Sequence, residues 1–304
     1  MHTVEAYLNV RRAAGFRLCS AEALLRSYAR FASQRGEDYV RTQTALDWAT
    51  LTNSPRQRGR RLEAVRIFAR YAQAEDARHE LPPAGLFGVC RPAPVAPFIF
   101  SPEQLHQLLE RAANLPPVGS LRPWTYCTLL SLLAVTGLRI SEALALRFDD
   151  LTPDGLIIRE TKFRKSRLLP LHPSTAAGLE RYLVRRRQRG GDNDYVFISH
   201  YRRPLAYPTV AEVFRRLIRE LGLASGPGQQ RPRLHDLRHT WAVRTLLACP
   251  TGYAQVNQQL LAMSTYLGHT SVTGTFRYLH TTPELLADIA ASCEQLIAGR
   301  GLQP

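Results

Sequence analysis

The sequence predicts a mainly α-helical protein with a small antiparallel β insert, divided into two domains. Three observations carry this. Apolar residues recur at helical spacing through the first ninety or so positions. A proline-rich stretch then interrupts any regular structure. Beyond it helical patterns resume, broken by two short apolar runs on either side of a basic turn.

Taken in order, Leu24, Leu25, Tyr28 and Phe31 follow Ser20 at helical spacing. Thr42 is placed to cap a second helix that carries Leu46 and Ala49. A third helix runs from about Arg60, with Leu62, Val65, Phe68, Ala69 and Ala72 on one side. Residues 91–97 read Arg-Pro-Ala-Pro-Val-Ala-Pro, and prolines at this density cannot form a regular helix. The expected organisation is therefore a helical domain at 1–90, a stiff linker at 91–99 and a second domain at 100–304. Ser101-Pro102-Glu103-Gln104 restarts the chain as a capping box with proline at the first helical position, ahead of Leu105, Leu108 and Leu109. Tyr126–Val135 reads as a buried helix. Leu156-Ile157-Ile158 and Leu168-Leu169-Pro170-Leu171 read as two strands, and Tyr195–Ile198 as a further short run with strand character. Helices are expected at about 174–189, 208–222, 236–248, 255–267, 272–279 and 283–297.

Composition narrows the function. Hydrophobic residues make up 45% and charged residues 21% of the 304 positions, so the chain can bury real cores. Forty Lys and Arg against 25 Asp and Glu leave a formal charge of +15, which points to a polyanion. Nucleic acid is the first reading and an anionic membrane surface the second. The longest apolar run is too short to cross a bilayer, and residues 1–5 lack the basic start of a signal peptide. Cys19, Cys90, Cys127, Cys249 and Cys293 are odd in number, scattered and without CxxC spacing. They read as the reduced thiols of a cytoplasmic protein.

The basic residues are not evenly spread. The side of the third helix away from its apolar stripe, with its lead-in, carries Arg56, Arg58, Arg60, Arg61, Arg66 and Arg70. Only Glu63 lies among them, so internal ion pairing is scarce. A contact with a nucleic-acid backbone is preferred over a merely solvated face.

Four further clusters could carry chemistry. In Thr136-Gly137-Leu138-Arg139-Ile140-Ser141-Glu142, an apolar helix ends at Gly137 and Arg139 sits in the bend. By itself Arg139 reads as a surface pair with Glu142. The turn between the two strands holds Thr161, Lys162, Phe163, Arg164 and Lys165. A lysine there can reach a neighbouring groove, although a solvated turn charge is the simpler reading. In His235-Asp236-Leu237-Arg238-His239, positions 235, 238 and 239 share a helix face. A buried, hydrogen-bonded histidine at a capped helix start is one alternative. Zinc between His235 and His239 is another, disfavoured by Arg238 and by the short Asp236 where HExxH has glutamate. Last come Tyr266-Leu267-Gly268-His269 and, nine residues on, Tyr278 in an expected short helix. Together the clusters supply what phosphodiester transfer needs without a metal: a nucleophile, cations around the phosphate oxygens and a proton donor to the leaving oxygen. Clustered cations would also lower the pKa of a tyrosine hydroxyl near them.

In this order the four clusters resemble the tyrosine recombinase or phage integrase family, over about residues 100–290. Thr-Gly-Leu-Arg139-Ile-Ser-Glu is similar to its first arginine box, and Thr-Lys162-Phe-Arg-Lys-Ser-Arg-Leu-Leu-Pro-Leu to its lysine hairpin. His235-Asp-Leu-Arg238-His-Thr-Trp-Ala and Leu-Gly-His269 with Tyr278 are similar to its central and closing boxes. The resemblance implies a helical N-terminal domain that binds the DNA core site and an integrase-like catalytic domain. It implies that Tyr278 attacks the scissile phosphate to form a 3′-phosphotyrosyl link, that Arg139 and Arg238 bind its non-bridging oxygens, and that Lys162 protonates the leaving 5′ oxygen. His235 and His269 would assist, and Glu142 and His239 would support them. Neither cofactor nor metal is implied. The implied partners are double-stranded DNA recombination sites, a tetramer assembled on them, and accessory recombinases or DNA-bending proteins, all on the nucleoid of a bacterial cytoplasm. The final helix, from Pro283 to about Ile297, either completes the catalytic core or docks on a neighbouring protomer. Alternatives are a type IB topoisomerase-like enzyme, a DNA-binding regulator without cleavage activity and a zinc hydrolase.

Overall fold

The computed structural model describes residues 2–16, 18–88, 96–159, 166–189, 193–223, 231–248 and 253–268. The chain divides into two compact units, Met1–Pro94 and Val95–Pro304.

Among the described residues the first unit contains four helices: α1 (His2–Ala13), α2 (Cys19–Gln34), α3 (Thr42–Thr50) and α4 (Pro55–Ala72). Their apolar stripes meet in one core around Leu8, Leu25, Tyr28, Trp48, Val65 and Phe68. Tyr7 meets Phe68 edge-on at 5.6 Å, and Tyr28 meets Trp48 in the same way at 5.5 Å. Two starts differ from the sequence reading. Helix α4 begins at Pro55, not near Arg60, because the Ser54 hydroxyl accepts the Gln57 N–H and proline suits the first helical position. Thr42 is the first residue of α3 and not its cap; its N–H donates to the Glu80 carboxylate at 2.7 Å. After α4, His79 turns inward, 4% exposed, and its Nδ1 accepts the Val40 N–H at 2.9 Å.

The second unit begins on α5 (Pro102–Ala113), closed by the expected capping box of Ser101 and Gln104. Helix α6 (Leu121–Thr136) follows, with Leu129, Leu130, Leu132 and Leu133 nearly inaccessible. It packs against α5, α8 (Pro173–Gln188) and α10 (Leu234–Leu247), which explains why it is apolar on more than one side. A short helix α7 (Ile140–Ala145) leads to the sheet.

That sheet has three antiparallel strands, β1 (Leu151–Thr152), β2 (Gly155–Ile158) and β3 (Arg167–Leu169), in the order β1-β2-β3. Leu156 pairs with Leu169 and Ile158 with Arg167. The extra strand β1 is formed by the turn that returns the chain into Gly155. Strand β3 stops before Pro170, which has no N–H for the ladder. Tyr195–Ile198 is not a strand: only the isolated bridges Arg147–Tyr195 and Ile198–Pro204 form, although Val196, Phe197 and Ile198 are buried. Helices α9 (Tyr207–Glu220) and α11 (Tyr253–Leu267) complete the described part. The helices expected at 272–279 and 283–297 lie outside the described residues. Among the described residues no helix is long and apolar enough to cross a membrane.

Gly137 ends α6 in the left-handed region, at φ +62°, with its N–H on the Leu133 carbonyl. A Cβ there would lie 2.6 Å from the Trp241 ring on α10. Gly137→Ala is therefore expected to cost about 2–4 kcal/mol, combining backbone strain with overpacking. Chemical denaturation of the two proteins measures it, and a cost below about 0.5 kcal/mol would contradict this close approach.

Candidate active site

The left-handed end of α6 turns the chain so that Arg139 becomes the cap residue of α7. Its backbone N–H and its guanidinium both donate to Glu142, at 3.0 and 2.8 Å. The guanidinium also reaches the Leu267 and Gly268 carbonyls at the end of α11, at 3.3 and 3.5 Å. Arg139 keeps 29% of its side chain exposed.

Helix α10 starts at Leu234, two residues earlier than expected, because the Asp236 carboxylate accepts the Arg233 N–H at 2.7 Å. That start places Arg238 inside the unit, 2% exposed. Its guanidinium donates to the Gly137 carbonyl at 2.7 Å and to the Leu267 carbonyl at 2.9 Å. The carbonyl of Leu267 is thus shared by Arg139 and Arg238, which are far apart in sequence. The C-terminal end of a helix carries partial negative charge and unpaired carbonyls, so it is a natural place for guanidinium groups to collect.

His235 and His239 stand one turn apart on α10, their rings edge to face at 4.7 Å. His239 is buried and His235 is exposed. Desolvation at its base, then the positive neighbours His239, Arg238 and Arg139, push the His235 pKa down to about 4, against an upward pull from Asp236. Water at the exposed ring tempers that shift, and desolvation and the nearby guanidinium groups act in the same direction. His235 is therefore neutral at pH 7, with one nitrogen able to accept and one to donate.

A third arginine joins the site. Arg167, the first residue of β3, donates from Nε to the Tyr266 carbonyl at 2.8 Å. Its two terminal nitrogens grip the Glu142 carboxylate at 3.2 and 2.9 Å. Burial opposes ionisation of Glu142, yet the hydrogen bond and charge of Arg167, with the contacts from Arg139, hold its pKa below the ordinary value. Arg139, Arg167 and Arg238 with one ionised Glu142 leave a surplus of positive charge, suited to an anion.

Of the residues singled out in the sequence, the structure brings Arg139, His235 and Arg238 together, with Glu142 and His239 beside them. Lys162, Arg164, Lys165, His269 and Tyr278 lie outside the described residues. Arg167 was missed. Its signal was strand alternation: position 167 shares a face with buried Leu169, so an arginine there needs an internal partner. The Trp241–Tyr266 stack, with centroids 5.0 Å apart, was missed as well. Among the described residues no three His, Cys, Asp or Glu side chains come together as a metal group.

The arginine row on α4 divides in two. Arg58 donates to the Thr52 carbonyl, and Arg61 donates to the Trp48 carbonyl while lying over the Trp48 ring at 5.0 Å. Arg66 lies 3.9 Å from Glu63. Arg56, Arg60 and Arg70 are exposed. The internal contacts of Arg58 and Arg61 are structural work that sequence spacing does not reveal.

A mainly helical unit with a small three-stranded sheet is an integrase-like fold, and the sequence places it in the class of tyrosine recombinases. The sequence model of the phage integrase family matches residues 99–284. The chain belongs to the phage integrase family, and it is a tyrosine-type site-specific recombinase, an enzyme that cleaves and rejoins DNA. Among its relatives, a Sinorhizobium fredii protein named "Putative integrase/recombinase y4rB" is 38% identical, with 96% of each chain covered. The tyrosine recombinase XerD of Listeria innocua is 28% identical over 78% of this chain and 75% of its own. The fold is shared with the Tn1549 transposon integrase in complex with transposon right end DNA (TM-score 0.65, 16% identity, 95% and 99% covered). It is shared also with the XerH recombinase bound to its difH substrate (TM-score 0.61, 19% identity, 84% and 73% covered).

The lowered pKa of His235 has a consequence for pH. Its folded value lies below the ordinary histidine value near 6.5, so the neutral form is the one the fold favours. Its contribution to stability is complete above about pH 6.5 and is lost as pH falls toward its folded value. Buried His79 is lowered by desolvation and acts in the same direction. Both rings are expected to titrate below 6.5 in NMR of the DNA-free protein, with thermal stability falling from pH 7 to pH 5. A His235 midpoint at or above 6.5 would contradict the cationic surroundings described.

Proposed function

We propose that the enzyme cuts DNA with Tyr278 and that the arginine pair holds the scissile phosphate. The Tyr278 hydroxyl attacks phosphorus, the bond to the 5′ oxygen breaks, and a 3′-phosphotyrosyl link forms. Arg139 and Arg238 bind the non-bridging oxygens, where negative charge grows in the transition state. Lys162 gives its proton to the leaving 5′ oxygen. Neutral His235, with His269, exchanges hydrogen bonds and protons at the phosphate. The 5′-hydroxyl of a partner strand then attacks the phosphotyrosine, and the tyrosine leaves. Bond energy stays in the link, so the cycle consumes no ATP.

The observation that carries this reading is the shared carbonyl of Leu267. It joins Arg139 to Arg238 one residue before Gly268, and His269 and Tyr278 follow along the chain. The N-terminal helical domain, 1–90, binds the core DNA site and joins the catalytic domain through the linker at 91–99. Exposed Arg56, Arg60 and Arg70, with Arg164 and Lys165 of the lysine turn, contact the DNA backbone. Four protomers act on two recombination sites, with accessory recombinases or DNA-bending proteins where the site arrangement requires them. The reaction serves integration, excision or transposition of a mobile element, in the cytoplasm and on the nucleoid.

Two predictions test the site. On nicked suicide substrates built from DNA selected by the protein, wild type is expected to form an adduct that survives denaturation, in the presence of chelator. Tyr278→Phe is expected to bind the same DNA and form none; an equal adduct from this variant would remove Tyr278 as nucleophile. Arg139→Ala and Arg238→Lys are each expected to slow cleavage by a factor matching roughly 3–5 kcal/mol. Lysine is chosen at 238 because alanine would strand the buried Gly137 carbonyl and leave that of Leu267 to Arg139 alone. A loss under tenfold at either position would take that arginine off the phosphate.

A further inference from the structure

Arg167 is engaged along its whole guanidinium by groups of the protein itself. Its terminal nitrogens form a two-pronged grip on Glu142, its Nε is on the Tyr266 carbonyl, and only 14% of the side chain is exposed. Arg139, with its second face toward Leu267 and Gly268, is twice as exposed at 29%. The partners of Arg167 come from two elements distant in sequence, α7 and the end of α11. Arg167 itself opens β3, the strand that leaves the turn carrying Lys162.

Two details show that the fit is built for arginine. Gly268 stands at φ +63°, and a Cβ there would lie 2.9 Å from an Arg167 terminal nitrogen, so the glycine makes room for the guanidinium. Glu142 is 7% exposed and carries both Arg139 and Arg167, so displacement of Arg167 would leave a buried carboxylate with half its partners. A lysine could satisfy one of these contacts but not the planar pair.

We infer that Arg167 is a positioning residue that fastens β3, the strand five residues after Lys162 in the chain, to the end of α11, and so sets the leaving-group side of the reaction. This rests on the reading of Lys162 as proton donor and of Tyr278 as nucleophile. The clamp acts on the proton donor through β3. Its loss should therefore matter most when the leaving oxygen needs a proton and least when it does not.

The test compares full-length wild type, Arg167→Ala, Arg167→Lys and Lys162→Ala on two suicide substrates. One is ordinary DNA; the other has sulfur in place of the bridging 5′ oxygen, a leaving atom that departs without a proton. Arg167→Ala is expected to cleave the ordinary substrate at least 100-fold more slowly than wild type, and the sulfur substrate within tenfold of it. Arg167→Lys should fall between, and it decides the matter by the same ratio if the alanine variant does not fold. Equal slowing on both substrates, or normal cleavage of ordinary DNA, overturns the clamp. Rescue of Arg167→Ala without rescue of Lys162→Ala keeps the clamp and moves the proton donor to another group of the turn. An absence of any adduct with wild type overturns the cleavage reading and the clamp with it.

Discussion

The end of helix α11 presents the carbonyl oxygens of Tyr266 and Leu267, and among the described residues three arginines donate to them. Arg238 and Arg139 share the carbonyl of Leu267, and Arg167 takes that of Tyr266. Each arginine arrives on a different element: α10, the bend after α6, and β3. These three elements of the second unit are tied to the end of α11 at this one place. A helix end is suited to the task because its carbonyls point one way and carry the negative end of the dipole.

Like charges so close together need compensation, and Glu142 supplies it. Its carboxylate is nearly buried and stays ionised because two guanidinium groups hold it. Among the described residues Arg139 and Arg167 pair with this one carboxylate and Arg238 stands close by, while Asp236 caps its own helix. The surplus is what an incoming phosphate would neutralise. Desolvation first, and then the charges of Arg238 and Arg139, keep His235 neutral.

Close packing supports that arrangement. Gly137 lets α6 end against Trp241, and Gly268 lets α11 end against Arg167. Trp241 in turn stacks on Tyr266, at the same helix end. Both glycines take the left-handed backbone that closes a helix, and both leave space for a large side chain from another element. Phe100 adds a further tie, its N–H donating to Thr240 on α10 at 3.0 Å, so that the entry of the chain into this unit is pinned to the helix bearing Arg238.

Local order was legible in the sequence. The capping box at Ser101 and Gln104, the buried stripe of α4, the glycine stop of α6 and the strand pair at Leu156 and Leu169 all depend on residues a few positions apart. The motif clusters were legible for the same reason, as was the sign of the partner from a net charge of +15. Helix starts such as Pro55 and Leu234 were misjudged by a few residues because the deciding bonds, from Gln57 to Ser54 and from Arg233 to Asp236, compete with equally plausible caps nearby. The burial of Arg238, the bridging role of Arg167 and the inward use of Arg58 and Arg61 belonged to tertiary structure alone. Their partners are mostly main-chain carbonyls, of Gly137, Leu267, Tyr266, Thr52 and Trp48. Every residue has such a carbonyl, so the amino-acid sequence cannot mark which of them an arginine will meet; only the packing of distant elements decides it.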